Sequence, residues 1–513
     1  MRGSDHDLAV IGGGINGCGI ARDAQGRGLK VALIEKADLA GATSSASTKL
    51  IHGGLRYLEH LEFRLVREAL REREVLLKLA PHIIWPLRFV LPHHQGLRPW
   101  PIIRLGLFLY DHLGGRDLLP GTRILDLSSD EAGRPLKTVY RRAFEYSDCW
   151  VQDARLVTLN ALDAAQKGAV ILTQTECMSA RREGHGWSLL LQDRKSGEQS
   201  RISAKALVNA GGPWVADVLE RVAGRRVPLR VRLVKGSHIV VPRLFDHDRS
   251  YIFQNTDQRV CFAIPYEEEF TLIGTTDVDF EGDLTRASIS EAEIAYLLQA
   301  VNEYFRVPVT KEQIRWSYAG VRPLHDDGAN KAQEATRDYE LKLDEEQGGA
   351  PLLSVFGGKI TTYRRLAEQV MDLLAPHFPS MGESWTKSAV LPGGDFAPEE
   401  SGRRIAEIAR SIPGLEVKQA ARLFRSYGTR CGLILEGVRR LEELGDDFGF
   451  GLSEREVDYL IGAEWAKSAE DILWRRTKLG LQFSPEQSAR LEAYVAGRKG
   501  GNYRQTRYRS GVG

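Results

Sequence analysis

The chain has 513 residues, 42% apolar and 27% charged, a balance ordinary for a globular protein large enough for two or three domains. Lys and Arg total 70 against 68 Asp and Glu, and a net charge of +2 excludes a global field for nucleic acid. Cys18, Cys149, Cys177, Cys261 and Cys431 lack CxxC spacing, which argues against a disulfide framework or a metal site and fits a reducing compartment. No apolar run reaches the roughly 18 residues needed to span a bilayer, and no secretory apolar region precedes the first strand. The expectation is a cytoplasmic protein, or one attached peripherally to the cytoplasmic face of a membrane.

The first predicted strand, Leu8-Ala9-Val10-Ile11, runs into Gly12-Gly13-Gly14-Ile15-Asn16-Gly17. A small-residue helix follows to Gly28, then a strand from Val31 to Ile34 that ends at Glu35. Strand, glycine turn, helix, strand and acid, in that order, make a dinucleotide-binding unit. Gly12 permits the tight turn, Gly14 lets the backbone approach a pyrophosphate, and Gly17 lets the helix pack on the sheet. The helix N-terminus offers N–H groups to the phosphates, and Glu35 is placed to accept from a ribose diol.

Thr43-Ser44-Ser45-Ala46-Ser47-Thr48 and Lys49-Leu50-Ile51-His52-Gly53-Gly54 form a hydroxyl- and glycine-rich loop suited to a phosphate and a flat ring. Glu62 to Leu79 reads as an amphipathic helix. From Pro81 to Gly115, aromatic, aliphatic and arginine residues mix, which fits either a lipid-facing surface or a buried or dimer-facing helix. Phe144 to Leu156 is extended and leads into a helix. Ala206 to Asn209, before Ala210-Gly211-Gly212-Pro213-Trp214, reads as a return strand of the cofactor sheet. Between Leu229 and Trp316, Ser237 to Val241 and Phe270 to Gly274 suggest an antiparallel sheet covering a substrate. Leu352 to Phe356 is a strand entering Gly357-Gly358-Lys359, with a helix from Ile360 to Leu374.

After Leu391-Pro392-Gly393-Gly394 the pattern turns helical, with Ala420 to Tyr427, Glu454 to Glu464 and Ser468 to Arg475 spaced by threes and fours. Trp465 and Trp474 read as core residues of this module. The tail carries Arg498, Lys499, Arg504, Arg507 and Arg509 with no acid among them, either a solvated end or an attraction for anionic lipid. A cofactor unit at the start, strands returning near 207 and 352, and no second GxGxxG together point to FAD rather than NAD. The dinucleotide would run from Glu35 past Gly14 to the 43–54 loop, with its ring meeting the 356–362 turn. N–H groups at the start of the helix after Gly358 would favour negative charge on the reduced ring.

The blocks IGGGINGCGIARDAQGRGL, ATSSASTKLIHGGLRYLE, FEYSDCWVQDARL, VNAGGPWV, KGSHIVV, IGTTDVDF, GVRPL, VFGGKITTYRRLAE and LWRRTKLG resemble the FAD-dependent sn-glycerol-3-phosphate dehydrogenase family, bacterial respiratory type. The resemblance implies an α/β fold: a Rossmann-like FAD domain of the glutathione-reductase or amino-acid-oxidase type, an antiparallel-sheet substrate domain and a C-terminal helical domain. The corresponding divisions are 1–80, 150–228 and 335–390 for FAD, 81–149 and 229–334 for the substrate cap, and 391–513 for the helical domain. It further implies cofactor contacts from Ile11, Gly12, Gly14, Ile15, Asn16, Gly17, Glu35 and Lys36. Thr43, Ser44, Ser45, Ser47, Lys49, Leu50, His52 and Gly53 follow in the loop, then Ala210, Gly211, Trp214, Gly358, Lys359 and Thr361.

The implied reaction is oxidation of sn-glycerol 3-phosphate to dihydroxyacetone phosphate, by hydride transfer from C2 to FAD N5, with electrons passed to membrane quinone. A small dianion requires fixed cations. Arg322 offers a planar fork, Lys359 lies beside the glycine pair, and Arg56 with Tyr57 can complete the anion site. His238 and His52 are the candidate bases, His238 the preferred one and His52 placed mainly against the flavin. Thr275 is the substrate-positioning candidate, and Asp277 is open between positioning and a turn. Expected partners are the substrate, quinone, an anionic lipid surface and a second copy of the chain, with no metal and no nucleic acid. The alternatives are an amine or amino-acid oxidase of the same fold, and a non-catalytic flavin-binding membrane-associated sensor.

Overall fold

Leu8 to Ile11, the greater part of the strand His6–Ile11, is an unbroken apolar run because both of its faces are covered, as parallel strands require. The computed structural model describes residues 5–498 apart from 228, 256, 258, 326–337 and 346–348. His6–Ile11 pairs in parallel with Val31–Ile34 on one side and Gln199–Asn209 on the other. The sheet continues outward through Val170–Leu172 at one end and Leu352–Phe356 then Glu340–Asp344 at the other. One face is packed by the helices Ile15–Gly26, Asp153–Gln166 and Tyr363–Leu374, and the opposite face buries Trp187 and Leu189 of an added hairpin.

The second sheet holds ten of the described strands. Its antiparallel centre is Val231–Pro242, Phe270–Gly274, Val260–Tyr266 and Ser250–Gln254, with Trp316–His325 on the far side of the first. Ile84–His93 and Arg142–Val151 extend it, the former lying parallel to Ser250–Gln254. The helix Glu291–Asn302, started by a Ser290–Glu293 capping box, covers one face.

The 81–115 segment therefore divides. Phe89, Val90 and Leu91 are fully buried in the strand, whereas the helix Trp100–Leu113 buries only Leu107 and Tyr110 and leaves Ile102, Leu105 and Phe108 more than half exposed. The helix expected from Ile360 begins at Tyr363, because Lys359 to Thr362 close a turn through Thr362 N–H donating to the Lys359 carbonyl.

The C-terminal module packs Val417–Tyr427, Glu454–Glu464 and Pro485–Arg498 around its own core. Buried ion pairs fix it to the first domain, with Arg155 meeting Glu464 and Arg476 meeting Asp38. Trp465 is core as expected, but packs with the first domain's cluster. Trp474 packs against the module's own core as expected, and in addition stacks on Trp316 of the second sheet at 4.5 Å and lines a cleft. Helical spacing marks an inward face without revealing which neighbour it meets. Arg498 is tied to Glu454 and Asp458, and the rest of the basic tail lies outside the described residues.

Candidate active site

At the edge of the first sheet a cleft of about 810 Å³ opens between the glycine turn, the 43–46 loop, the 210–214 turn and Trp316–Val321. Gly12 has φ of 114°, and a Cβ there would lie 2.4 Å from the Ala210 carbonyl oxygen. At Gly17 the clash would be with the Gly12 carbonyl, at 1.9 Å. These positions admit only glycine, and the bare turn exposes the start of the helix Ile15–Gly26 to a bound phosphate. Ser44 Oγ accepts from Ile15 N–H at 3.0 Å, which holds the loop against the helix.

Glu35 lies in the cleft and accepts from Gly13 N–H at 2.6 Å and Ala37 N–H at 2.8 Å. Burial pushes its carboxyl up and those two donors act against the shift. Lys36 stands over the Trp214 ring at 4.2 Å. The cleft thus fits a dinucleotide in its glycine cradle, helix start and acid.

Beyond the pyrophosphate end the predicted residues take different parts. Asn16 donates to the Gly357 carbonyl at 3.1 Å, joining the cofactor helix to the glycine pair. Lys49, with φ of 61° and almost no exposure, gives its ammonium to Asp153 at 2.9 Å and Ser45 carbonyl at 3.0 Å. Ser47 also donates to Asp153, at 2.7 Å, so both residues hold the loop's shape from behind. Leu50 buries its side chain in the second sheet's core. His52 N–H donates to Thr361 Oγ1 at 3.3 Å, and Gly53 N–H to Tyr110 Oη at 2.8 Å. These bonds place the His52–Gly53 backbone against the 357–362 turn.

The second sheet supplies the other wall. His238 is fully buried; its Nε2 lies 3.0 Å from Thr48 Oγ1, its ring stacks on Tyr318 at 4.8 Å, and Nδ1 has no partner among the described residues. Burial, then Lys49 and Arg322, hold the imidazole well below its usual range, so it is neutral. Arg322 lies on the adjacent strand opposite Val234, pairs with Asp277 and reaches Thr275 Oγ1 at 3.5 Å. A Cβ on Gly236 would sit 2.7 Å from an Arg322 Nη, so that glycine makes room for the fork.

Gly357 and Gly358 have φ of 81° and 101°, and they present Lys359. Its Nζ is buried without a hydrogen-bond partner among the described residues and stands over the Tyr57 ring at 4.1 Å. The Arg56 side chain lies outside those described.

Several residues here carried little or no local signal. Asp277 was open between a turn and a site role, and it pairs with Arg322. Thr48 and Tyr318 hold His238 from two sides. Glu293, on the covering helix, accepts from Ser237 Oγ and Thr276 Oγ1, each at 2.8 Å, fixing the strands on both sides of His238 and Thr275. Ser237 lies within a strand and Thr276 just past the end of Phe270–Gly274, and neither position announces the distant Glu293.

A family model for FAD dependent oxidoreductases matches residues 7–364, and one for the C-terminal domain of alpha-glycerophosphate oxidase matches residues 384–496. The chain is 54% identical over 483 residues to D-erythritol 1-phosphate dehydrogenase of Brucella abortus, covering 94% of this chain and 96% of the relative. It is 54% identical over 491 residues to glycerol-3-phosphate dehydrogenase of Pseudomonas aeruginosa, covering 96% and 95%. Among solved structures, the glycerol-3-phosphate dehydrogenase of Bacillus halodurans, complexed with FAD, matches with a TM-score of 0.76 at 27% identity, covering 98% of this chain and 93% of that one. The sheet pair, the glycine cradle and these matches agree: the chain belongs to the family of FAD-dependent glycerol-3-phosphate dehydrogenases.

Proposed function

We propose that the enzyme oxidises sn-glycerol 3-phosphate to dihydroxyacetone phosphate and passes the electrons to a membrane quinone. The observation that carries the reading is the pair of cations, Arg322 on the second sheet beside His238 and Lys359 after the glycine pair, whose buried ammonium has no hydrogen-bond partner among the described residues. Two cations suit a phosphate dianion, and the Arg322 fork donates to its oxygens. FAD supplies the acceptor for the C2 hydride when bound. Gly12, Gly14, Gly17, Glu35, Lys36, the 43–45 hydroxyls and the 210–214 turn would hold it.

His238 takes the hydroxyl proton at Nδ1, since Thr48 occupies Nε2. Its neutral state leaves it ready to accept. A dianion seated beside Arg322 offsets the positive charge that depresses the imidazole, so substrate binding strengthens the base. Thr275, next to Arg322, positions the substrate, and the sheet packed behind His238 excludes bulk water.

D-erythritol 1-phosphate is the second reading, favoured by the equal identity to a dehydrogenase of that name. Both compounds are phosphate monoesters, so the same cations serve both, and the longer polyol alone distinguishes them. Anaerobic mixing of the holoenzyme with each phosphate, and with glycine, sarcosine and D-alanine, decides among the readings by the rate of flavin bleaching. Fast bleaching by glycerol 3-phosphate alone supports the first. Bleaching by an amino acid and not by either phosphate would sink both.

No helix among the described residues is long and apolar enough to cross a membrane. Peripheral attachment is proposed through the helix Trp100–Leu113, whose Ile102, Leu105 and Phe108 face outward and whose sequence includes Arg104. Co-sedimentation with anionic vesicles, reduced in Leu105→Glu, is the check.

A further inference from the structure

Glu293 is the third residue of the helix Glu291–Asn302, and the start of that helix uses only one of its carboxylate oxygens. Oε2 accepts from the backbone N–H and the hydroxyl of Ser290, each at 2.8 Å, which completes the capping box. Lys235 Nζ, from the strand Val231–Pro242, lies 2.9 Å from the same oxygen. Oε1 turns to the second sheet instead and accepts from Ser237 Oγ and Thr276 Oγ1, each at 2.8 Å. Glu293, Ser237 and Thr276 are all buried.

Ser237 and Thr276 each stand between two residues of the candidate site. Ser237 lies between His238 and Gly236, where a Cβ would come within 2.7 Å of Arg322 and 2.8 Å of Thr275 Oγ1. Thr276 lies between Thr275 and Asp277, which both contact the Arg322 guanidinium. Two further bonds hold Thr276: its Oγ1 accepts from Ser237 N–H at 2.9 Å, and its carbonyl accepts from Thr275 Oγ1 at 3.1 Å. Burial raises the Glu293 carboxyl, and the bonds from Lys235, Ser290, Thr276 and Ser237 bring it below its usual range. It is therefore a carboxylate at neutral pH. A carboxylate only accepts, so both hydroxyls must donate to it, and the chain from Ser237 N–H through the Thr276 hydroxyl to Oε1 has one direction.

We propose that Glu293 is a positioning residue for the oxidation, one carboxylate oxygen holding the base, His238, and the phosphate fork, Arg322, in register through Ser237 and Thr276. The proposal rests on the reading of substrate and base above and adds what keeps the two in place. Base and fork meet opposite ends of one small substrate, its C2 hydroxyl and its phosphate, so their separation must match its length. The backbones of His238 and Arg322 are already fixed by the pairing of Val231–Pro242 with Trp316–His325. Residues 275–277 are not, because they lie between Phe270–Gly274 and Val278–Asp279 and outside both strands. This stretch carries the two groups that aim the guanidinium, and Glu293 ties it to the strand of the base.

Anaerobic bleaching of the holoenzyme over a range of glycerol 3-phosphate concentrations gives a half-saturating concentration and a limiting rate. In Glu293→Gln the amide oxygen can keep the cap and Lys235, which leaves the amide nitrogen facing two hydroxyls that had donated. Half-saturation should rise and the limiting rate should fall, each by about two- to ten-fold, the range of one lost hydrogen bond. Thr276→Val should act mainly on half-saturation and Ser237→Ala mainly on the limiting rate. Thr276→Ser restores the hydroxyl and should recover most of what valine loses. A merely structural carboxylate would lower the urea midpoint without dividing its effects between the two kinetic values. Glu293→Gln with both values unchanged would overturn the proposal. If that variant holds no FAD, Ser237→Ala and Thr276→Val decide, and native values in both overturn it. A native enzyme bleached by neither glycerol 3-phosphate nor D-erythritol 1-phosphate would sink the functional reading, and the positioning role with it.

Discussion

Arg476, near the end of the C-terminal module, grips both carboxylate oxygens of Asp38, just beyond the acid of the cofactor unit, at 2.8 and 2.9 Å. Both side chains are almost completely buried, and Arg475 adds a third bond to Asp38 at 2.6 Å. Burial alone would raise the Asp38 carboxyl, and the two guanidinium groups hold it below its usual range instead. The helical module is thereby clamped to the loop that leaves Glu35. Asp38→Asn removes the carboxylate that grips the buried Arg476, leaving Arg475 its bonds to Glu470 and Asp471, and a cost of about 3 kcal/mol is expected. Urea unfolding should show that loss, with earlier release of flavin. An unchanged midpoint would mean that the pair adds no net stability.

His82 sits under the same junction, against Gly393 and Gly428, with neither ring nitrogen partnered among the described residues. Burial, with Arg155 nearby, lowers its pKa from 6.5 to about 3. The unfolded chain therefore binds a proton that the folded one refuses, so stability is full above pH 6.5 and falls as the pH drops towards 3. The expected loss is about 1.4 kcal/mol per pH unit within that window. His82→Phe should reduce the slope of unfolding free energy against pH between 6 and 5, leaving the share of the other buried imidazole, His238.

Gly17→Ala should yield a protein without FAD, because the added carbon would meet the Gly12 carbonyl at 1.9 Å inside the turn proposed to receive the pyrophosphate. The flavin absorbance of the purified protein checks this. A variant that retains its full flavin would show that the turn can give way.

That turn was legible because its whole argument is local: strand, glycines, helix and acid follow one another within the first unit. The return strands were legible at Ala206 to Val208 and Leu352 to Phe356 for a related reason, since the buried parallel stretches are nearly all apolar. What escaped depends on partners far away in the chain. Nothing near Asp38 announces Arg476, and nothing near Trp474 announces Trp316. Ile84–His93 and Arg142–Val151 read as separate extended or apolar stretches, and only pairing across the chain makes them part of the substrate sheet. The resemblance implies a cofactor contact from Lys49, and nothing near it in the chain announces the buried carboxylate, Asp153, that its ammonium meets.

Arg322→Lys keeps the charge and loses the planar fork, so it separates attraction from geometry at the phosphate. Asp277 already holds one arm of the guanidinium and Thr275 lies near the other, which fixes the plane the substrate meets. The KM for glycerol 3-phosphate should rise roughly ten-fold or more, as expected for one charge-assisted bidentate contact. A KM within two-fold of native would place the phosphate elsewhere.

His238→Gln tests the base directly. Glutamine preserves a polar atom near Thr48 but takes up no proton, so the bleaching rate should fall by about 10²–10⁴, the usual range for a lost general base. Substrate affinity should change little, since the cations remain. The pH profile gives the sharper signature. Native bleaching should fall off on the acid side as the imidazole of the substrate complex becomes protonated, and the variant should lose that limb. A variant that bleaches at the native rate, with the acid limb intact, would remove His238 from the chemistry and return it to the role its stacking on Tyr318 already serves, holding two strands in register.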